Sequence, residues 1–89
     1  MTPFDLANVR SVAFYKRDEL TTDLICCDVE VDADHGPLTW FYHEEGPDWQ
    51  SWLDDLSSLV GFDNDWFAKV SQPPFERCET VAYVRPDLA

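Results

Sequence analysis

The sequence predicts a two-layer α+β domain, in which a mostly antiparallel sheet of about four strands carries one amphipathic helix and a short second helix on one face. Three observations predict this class. Four short stretches alternate β-branched and aromatic residues with others, one stretch repeats apolar residues at helical spacing, and the elements follow the order β-β-β-α-α-β. The 89 residues fit a single domain, in which residues 1–8 would form a loose lead-in that places Phe4 and Leu6 on the core.

The first three strands are predicted at residues 9–16, 20–31 and 38–43. In the second strand, one face is apolar and consists of Ile25, Cys27, Val29 and Val31. The opposite face begins apolar and ends acidic, with Leu24, Cys26, Asp28 and Glu30. We therefore expect the first half of that face to be covered and the second half to be hydrated. The short polar link at residues 17–19 predicts a hairpin between the first two strands.

The clearest helix is predicted at about residues 47–60. Its apolar stripe follows the repeat of an α-helix and consists of Trp49, Trp52, Leu53, Leu56 and Val60. Pro47 suits the first helical position, because the N–H group that proline lacks has no helical partner there. Gly61 stands where a left-handed C-terminal cap is expected. A stripe this broad indicates that the helix packs on the sheet.

A short second helix is predicted after Asp63, which can act as its N-cap. Phe62 and Phe67 would then occupy the two positions of a hydrophobic staple. The side chains that would face inward are Trp66, Phe67 and Val70. A short strand over residues 64–71 is the competing interpretation. The last strand is predicted at residues 79–85, and the sequence allows it to lie beside either the first or the third strand.

Charge is the strongest compositional signal, because the chain has 18 acidic and only 6 basic residues and a net charge of -12. Residues 18–68 contain fourteen Asp or Glu residues and neither Lys nor Arg. A field of this sign repels phosphate backbones, so we expect no direct binding to nucleic acid. The same field would accelerate association with a basic protein, although a high net charge also serves solubility alone.

Two further features bear on the compartment. The sequence contains no apolar run of membrane-spanning length, which is about 18 residues or more, and its first residues lack the basic and apolar segments of a signal peptide. We therefore expect a cytoplasmic protein that does not enter membranes. The three cysteines form no CxxC motif, which predicts reduced, buried thiols rather than a metal or redox site.

Acidic residues at every second position predict an acidic ridge that runs from the second strand into the following turn. Its members are Asp28, Glu30, Asp32 and Asp34. Glu44 and Glu45, which follow the third strand, would extend this surface. Carboxylates in a row could hold a divalent cation, but the glycine and glutamate positions of an EF-hand loop are not matched. A hydrated strand face explains the spacing equally well, so we predict no metal site.

Catalytic motifs give no positive signal. The sequence has no GxSxG, no HExxH, no glycine-rich phosphate loop and no dinucleotide fingerprint. His43 beside Glu44 could serve as a general base, but histidines next to loops are more often plain surface residues. We therefore predict no catalytic residue and no cofactor.

The residue pattern leads to two functional hypotheses. The first is a small acidic protein-binding domain, an inhibitor or DNA-mimic-like binder of a basic protein, which uses the acidic face together with an aromatic anchor such as Trp40 or Tyr42. The alternative is a small-molecule-binding domain or minor enzyme with an aromatic pocket between sheet and helix. Its pocket would be lined by Trp49, Trp52 and Trp66, with His43 as the polar group.

A homodimer is a further possibility. Trp40, Phe41 and Tyr42 are consecutive in a strand, so they cannot all face one side of the sheet. At least one of them needs cover from another layer, from the N-terminus or from a second subunit.

Overall fold

The computed structural model describes residues 2–18, 23–70 and 79–88. Its four strands form one antiparallel sheet in the order β3-β2-β1-β4. The strands are β1 (Val9–Asp18), β2 (Asp23–Val31), β3 (Leu38–His43) and β4 (Thr80–Val84). Helices α1 (Trp49–Ser57) and α2 (Trp66–Val70) come between β3 and β4 in the chain and pack on the sheet. The predicted α+β class and element order are confirmed.

The last strand lies beside the first one. Ser11 of β1 pairs with Val84 and Phe14 pairs with Thr80, with a bulge between Val12 and Ala13. The two helices carry the chain across the sheet from β3 at one edge to β4 at the other. The sequence left two positions open for this strand, and only the path of the helices over the sheet decides between them.

The hydrophobic core lies between the sheet and the helices. Val12 and Phe14 of β1 and Cys27 and Val29 of β2 are completely buried there. The opposite face of β2 divides as predicted. Leu24 and Cys26 are buried, and Asp28 and Glu30 further along the strand are half-buried.

Helix α1 is shorter than the predicted 47–60 at both ends. Asp48 has φ 63, in the left-handed region, and its carbonyl accepts the Trp52 N–H at 2.9 Å. The helix therefore begins after Asp48, and Pro47 lies outside it. The helix ends at Ser57, so Val60, which was placed on the apolar stripe, is 90% exposed. Gly61 has φ 90 and closes the turn that follows rather than the helix itself.

Helix α2 at Trp66–Val70 confirms the helical interpretation over the competing strand for the described residues of the predicted range 64–71, and residue 71 lies outside them. The Asp63 carboxylate accepts the Asp65 N–H at 2.9 Å, and the Asp63 carbonyl accepts the Trp66 N–H at 3.2 Å. Because the helix begins only at Trp66, Phe67 is its second residue and points outward, 55% exposed. The predicted staple between Phe62 and Phe67 is therefore wrong, although Phe62 and Val70 are buried.

The N-terminal residues belong to the helix-side layer. Phe4 and Leu6 pack against the core, as the sequence suggested. The Phe4 ring lies 5.9 Å from Trp40 and 5.5 Å from Trp52, measured between ring centroids. The Asp5 carboxylate accepts the Ala7 N–H at 3.0 Å and opens a short 3-10 helix at Leu6–Asn8. Trp40, one of the three consecutive aromatic residues of β3, is thus partly covered by Phe4 of this segment.

Two of the three cysteines are described, and both are buried free thiols. Cys26 and Cys27 therefore confirm the expectation for this pair, and Cys78 lies outside the described residues, as do residues 20–22 of the predicted second strand. Burial raises the pKa of the Cys27 thiol far above its usual value, and the neighbouring charge of Asp28 adds to this. Among the described helices, none is long and apolar enough to cross a membrane.

Candidate functional site

The six predicted acidic residues do not form one patch. Asp34 lies in the turn between β2 and β3, whereas Glu44 and Glu45 follow the far end of β3. The six residues of β3 separate these two groups by roughly 20 Å, at the usual rise of an extended strand. The predicted acidic residues are therefore spread along the strands, with Asp34 and the pair Glu44 and Glu45 at opposite ends of β3.

Two carboxylates of the predicted ridge are neutralised by arginine. Arg10 donates from Nε to Glu30 and from Nη1 to Asp32, each at 2.8 Å. Arg85 donates from Nη1 to the second oxygen of Asp32 at 2.7 Å and from Nε to Asp87 at 2.6 Å. These hydrogen bonds hold the pKa of Asp32 below its ordinary range, because they stabilise its ionised form.

Sequence reasoning missed this network, which we call the Asp32 clamp and which consists of Arg10, Glu30, Asp32, Arg85 and Asp87. Its arginines lie outside the base-free block of the sequence, and Arg85 is 53 positions from Asp32. Only the antiparallel pairing of β2 with β1 and of β1 with β4 brings the three strand ends together. The remaining strand carboxylate of the ridge, Asp28, accepts a hydrogen bond from the Tyr15 hydroxyl at 3.2 Å.

Three carboxylates of the predicted acidic face, Asp34, Glu44 and Glu45, flank β3 and have no recorded basic partner in the described part of the chain. Asp34 and Glu45 are exposed, at opposite ends of that strand. Glu44 lies at the end of the pairing between β3 and β2, where its carboxylate accepts the Ile25 N–H at 3.1 Å. Asp48 is close enough to Tyr42 that its charge, added to the larger effect of burial, raises the pKa of the tyrosine hydroxyl.

Most of the predicted aromatic site residues form the core rather than a surface. Tyr42 stacks on Trp52 with ring centroids 4.1 Å apart, and Trp66 stacks on Phe14 at 3.8 Å. Trp49 lies parallel to Tyr42 at 6.1 Å. The cluster fastens both helices to the sheet. Tyr42 is consequently held by stacking and is a poorer anchor than the sequence suggested.

His43 is not brought together with the tryptophans of the alternative pocket. It lies opposite Cys26, so it faces away from the helices, whereas Tyr42 lies opposite Cys27 and faces them. Its Nδ1 atom is buried and has no hydrogen-bond partner among the described residues, and its ring lies 5.9 Å from that of Phe41. No cavity was found in the described ranges of the chain, so the geometry of a sheet–helix pocket with His43 at its centre is not built by these residues.

Three apolar side chains of the edge strand β3 are exposed. Leu38 is 55% exposed, Trp40 37% and Phe41 47%. Leu38 and Trp40 lie on the helix side, and Phe41 lies on the opposite side. An edge strand with apolar side chains on both faces is unusual, because such edges favour association with other chains.

The outward backbone groups of this edge can be identified from the ladder. Residues of an antiparallel strand alternate between those bonded to the neighbouring strand and those that point away. The Glu44 N–H donates to the Ile25 carbonyl at 3.0 Å, which makes Glu44 a bonded position. Thr39, Phe41 and His43 are therefore the residues whose backbone groups point outward.

One of these groups already has a partner, since the His43 carbonyl accepts the Gly46 N–H at 2.9 Å. Across residues 2–18, 23–70 and 79–88, no backbone hydrogen bond is recorded to the outward N–H and C=O groups of Thr39 and Phe41. We call these groups, together with the exposed side chains of Leu38, Trp40 and Phe41, the β3 edge.

Comparisons with protein-family models, with curated proteins and with solved structures found no match.

Proposed function

We propose that this protein is a small acidic protein-binding domain that engages a basic partner through the β3 edge and the carboxylates at its two ends. The observation that carries the proposal is the set of exposed apolar side chains on β3, Leu38, Trp40 and Phe41, with the exposed carboxylates of Asp34 and Glu45 beyond the two ends of the strand. An apolar centre with a charged rim is the usual anatomy of a protein interface.

The proposal rests on partly different residues from those that the sequence favoured. The sequence favoured the ridge of Asp28, Glu30 and Asp32, but the clamp arginines engage Glu30 and Asp32. Trp40 remains an anchor candidate, and Phe41 replaces Tyr42 as the second one because it is exposed and Tyr42 is stacked. The net charge of -12 supports a basic partner, because it accelerates encounter with positive surfaces.

The experiment is affinity capture from a lysate of the source cells at low salt, followed by elution with a salt gradient and quantification of each retained protein. We expect a stoichiometric basic protein that elutes as salt rises, because screening weakens attraction between exposed charges. Capture is then repeated with the double variant Asp34→Lys and Glu45→Lys. Both carboxylates are exposed and have no recorded side-chain hydrogen bond among the described residues, so we expect their reversal to leave the fold intact.

The matched control is the double variant Asp54→Lys and Asp65→Lys, which changes the net charge by the same amount. Both residues are exposed in the helix layer, away from the β3 strand. We expect the first variant to lose the partner and the control to retain most of it. Equal loss in both variants would mean that total charge governs retention, and unchanged retention in both would overturn the acidic interface.

A further inference from the structure

The β3 edge has the properties of a site for strand addition. The N–H and C=O groups of Thr39 and Phe41 point away from β2 and can bond to a neighbouring chain. Its pairing with β2 runs one residue to one residue from Leu38 to His43 without a bulge. It contains neither Pro nor Lys, the residues that commonly protect an edge strand.

We infer that β3 binds an extended segment of a basic protein as a fifth strand of the sheet, an inference that rests on the proposed function and specifies its mode. Main-chain hydrogen bonds supply affinity in such complexes, and side chains at alternate positions supply specificity. An added strand would lie about 4.8 Å from β3, which is close enough for its side chains to contact Leu38 and Trp40 on one face and Phe41 on the other.

The two faces of the edge define what the bound segment looks like. On the helix side it meets Leu38 and Trp40, with Phe4 packed against Trp40. These neighbours favour apolar side chains. On the opposite side the next strand inward carries Asp28, and long basic side chains that pass Phe41 point towards it. The occupant is thus a segment in which apolar residues alternate with Lys or Arg.

Charge argues against a second copy of this chain as the occupant. Pairing two β3 strands in antiparallel orientation would place Asp34 of one copy near Glu45 of the other at both ends of the new ladder. Each copy also carries a net charge of -12, which opposes association at low salt. A basic segment removes both penalties and gains attraction at the same positions.

The probe is a capped nine-residue peptide of alternating lysine and valine, titrated into the whole protein at low salt with tryptophan fluorescence and amide NMR shifts as readouts. The first control is the same peptide with alternate backbone amides N-methylated, which keeps its charge and side chains but removes ladder donors. In the complex, we expect the amide protons of Thr39 and Phe41 to become protected from exchange with solvent.

The matched protein variants are Thr39→Pro and Thr39→Val. Proline at position 39 removes an N–H group that points away from β2, so the internal ladder is preserved. Valine retains that N–H group. We expect Thr39→Pro to weaken peptide binding about tenfold, as for the loss of one ladder hydrogen bond, and Thr39→Val to bind like the wild type. Should Thr39→Pro unfold, the N-methylated peptide on the wild-type protein provides the same test.

The outcomes separate the two proposals. Binding that is lost with the N-methylated peptide and with Thr39→Pro supports strand addition. Equal binding of both peptides overturns strand addition and leaves the acidic interface to the lysate experiment. Absence of any peptide binding also overturns it. A dimer in size-exclusion chromatography that Thr39→Pro converts to a monomer would identify a second copy as the occupant, and this would overturn the basic segment.

Discussion

The two edge strands of the sheet, β4 and β3, differ in the hydrogen bonds that other parts of the chain make to their outer sides. At the β4 edge, the pairing with β1 contains a bulge, and the carbonyl of Ala82 accepts the Asp63 N–H at 2.8 Å. Arg85, the first residue after the strand, belongs to the Asp32 clamp, and Pro86 follows it. At the β3 edge, the ladder is regular and the outward groups of Thr39 and Phe41 have no recorded partner among the described residues.

This difference follows from the path of the chain. The segment before α2 approaches β4, so it can bond to that strand at Ala82 while Val70 is buried in the core. The residues after β3 turn at once towards α1, with the Gly46 N–H bonded to the His43 carbonyl, and leave the strand uncovered. The β3 edge, with its exposed aromatic side chains, is therefore the edge at which the proposed partner would bind.

The largest expected effect distinguishes a tryptophan of the helix layer, Trp66, from one at the β3 edge, Trp40. Trp66→Ala removes the stack on Phe14 that holds α2 over the sheet, and we expect a loss of about 2–4 kcal/mol in the free energy of unfolding. Trp40→Ala, at the exposed edge, should lose about 1 kcal/mol or less and weaken partner binding instead. Urea unfolding measures both variants. Equal losses would mean that Trp40 is a core residue and not an anchor.

The second prediction concerns lysine substitutions on the two edge strands, because lysine on an edge strand hinders pairing with another chain. Phe41 on β3 and Val81 on β4 lie on the same face of the sheet and are similarly exposed, so Phe41→Lys and Val81→Lys form a matched pair. At about 1 M salt, the repulsion between copies of the protein is screened. We expect Phe41→Lys to slow the association of these copies with one another and Val81→Lys to leave its rate unchanged. Light scattering over time gives the rates. Slower association in the Val81 variant alone would reverse the assignment of the open edge.

The smallest expected effect concerns the Asp32 clamp, which fastens the end of β2 to Arg10 and Arg85. Its ion pairs lower the pKa of Asp32 in the folded protein. The contribution of Asp32 to stability is therefore present above the ordinary carboxyl pKa of about 3.9 and is lost as the pH falls through the lower folded value. We expect Asp32→Asn to lower the thermal midpoint modestly at neutral pH, because these side chains are partly exposed and screened.

The control for this prediction is Asp34→Asn, since Asp34 is exposed and has no recorded ion pair. Thermal scans between neutral and acidic pH should show the Asp32→Asn deficit disappearing under acidic conditions, while Asp34→Asn follows the wild type throughout. A deficit that persists at low pH would mean that Asp32 contributes by packing or shape rather than by charge.

The sequence predicted the strands well because strand faces have a period of two. The alternation along β2 assigned Cys27 and Val29 to the core face and Asp28 to the other, and the structure agrees. The helix ends were predicted less well. Pro47 and Gly61 are suitable terminal residues, but the left-handed backbone at Asp48 and the stop at Ser57 arise from the turns on either side of α1.

The candidate site was predicted only in part, because it depends on neighbours that are distant in sequence. Trp40 was singled out, but Phe41 was not, since the composition of β3 does not show which of its aromatic residues the helices cover. Tyr42 is drawn into a stack with Trp52 that no local pattern indicates. The exposure of Phe41 could have been expected only from the knowledge that β3 is an edge strand.

The sequence by itself determined the α+β class, the element order, the two faces of β2 and the excess of negative charge, because these follow from local periodicity and composition. The tertiary structure alone decided that β4 lies beside β1, that Arg10 and Arg85 meet at Asp32, and that β3 is left open. Each of these depends on contacts between strands far apart in the chain, which local patterns do not specify.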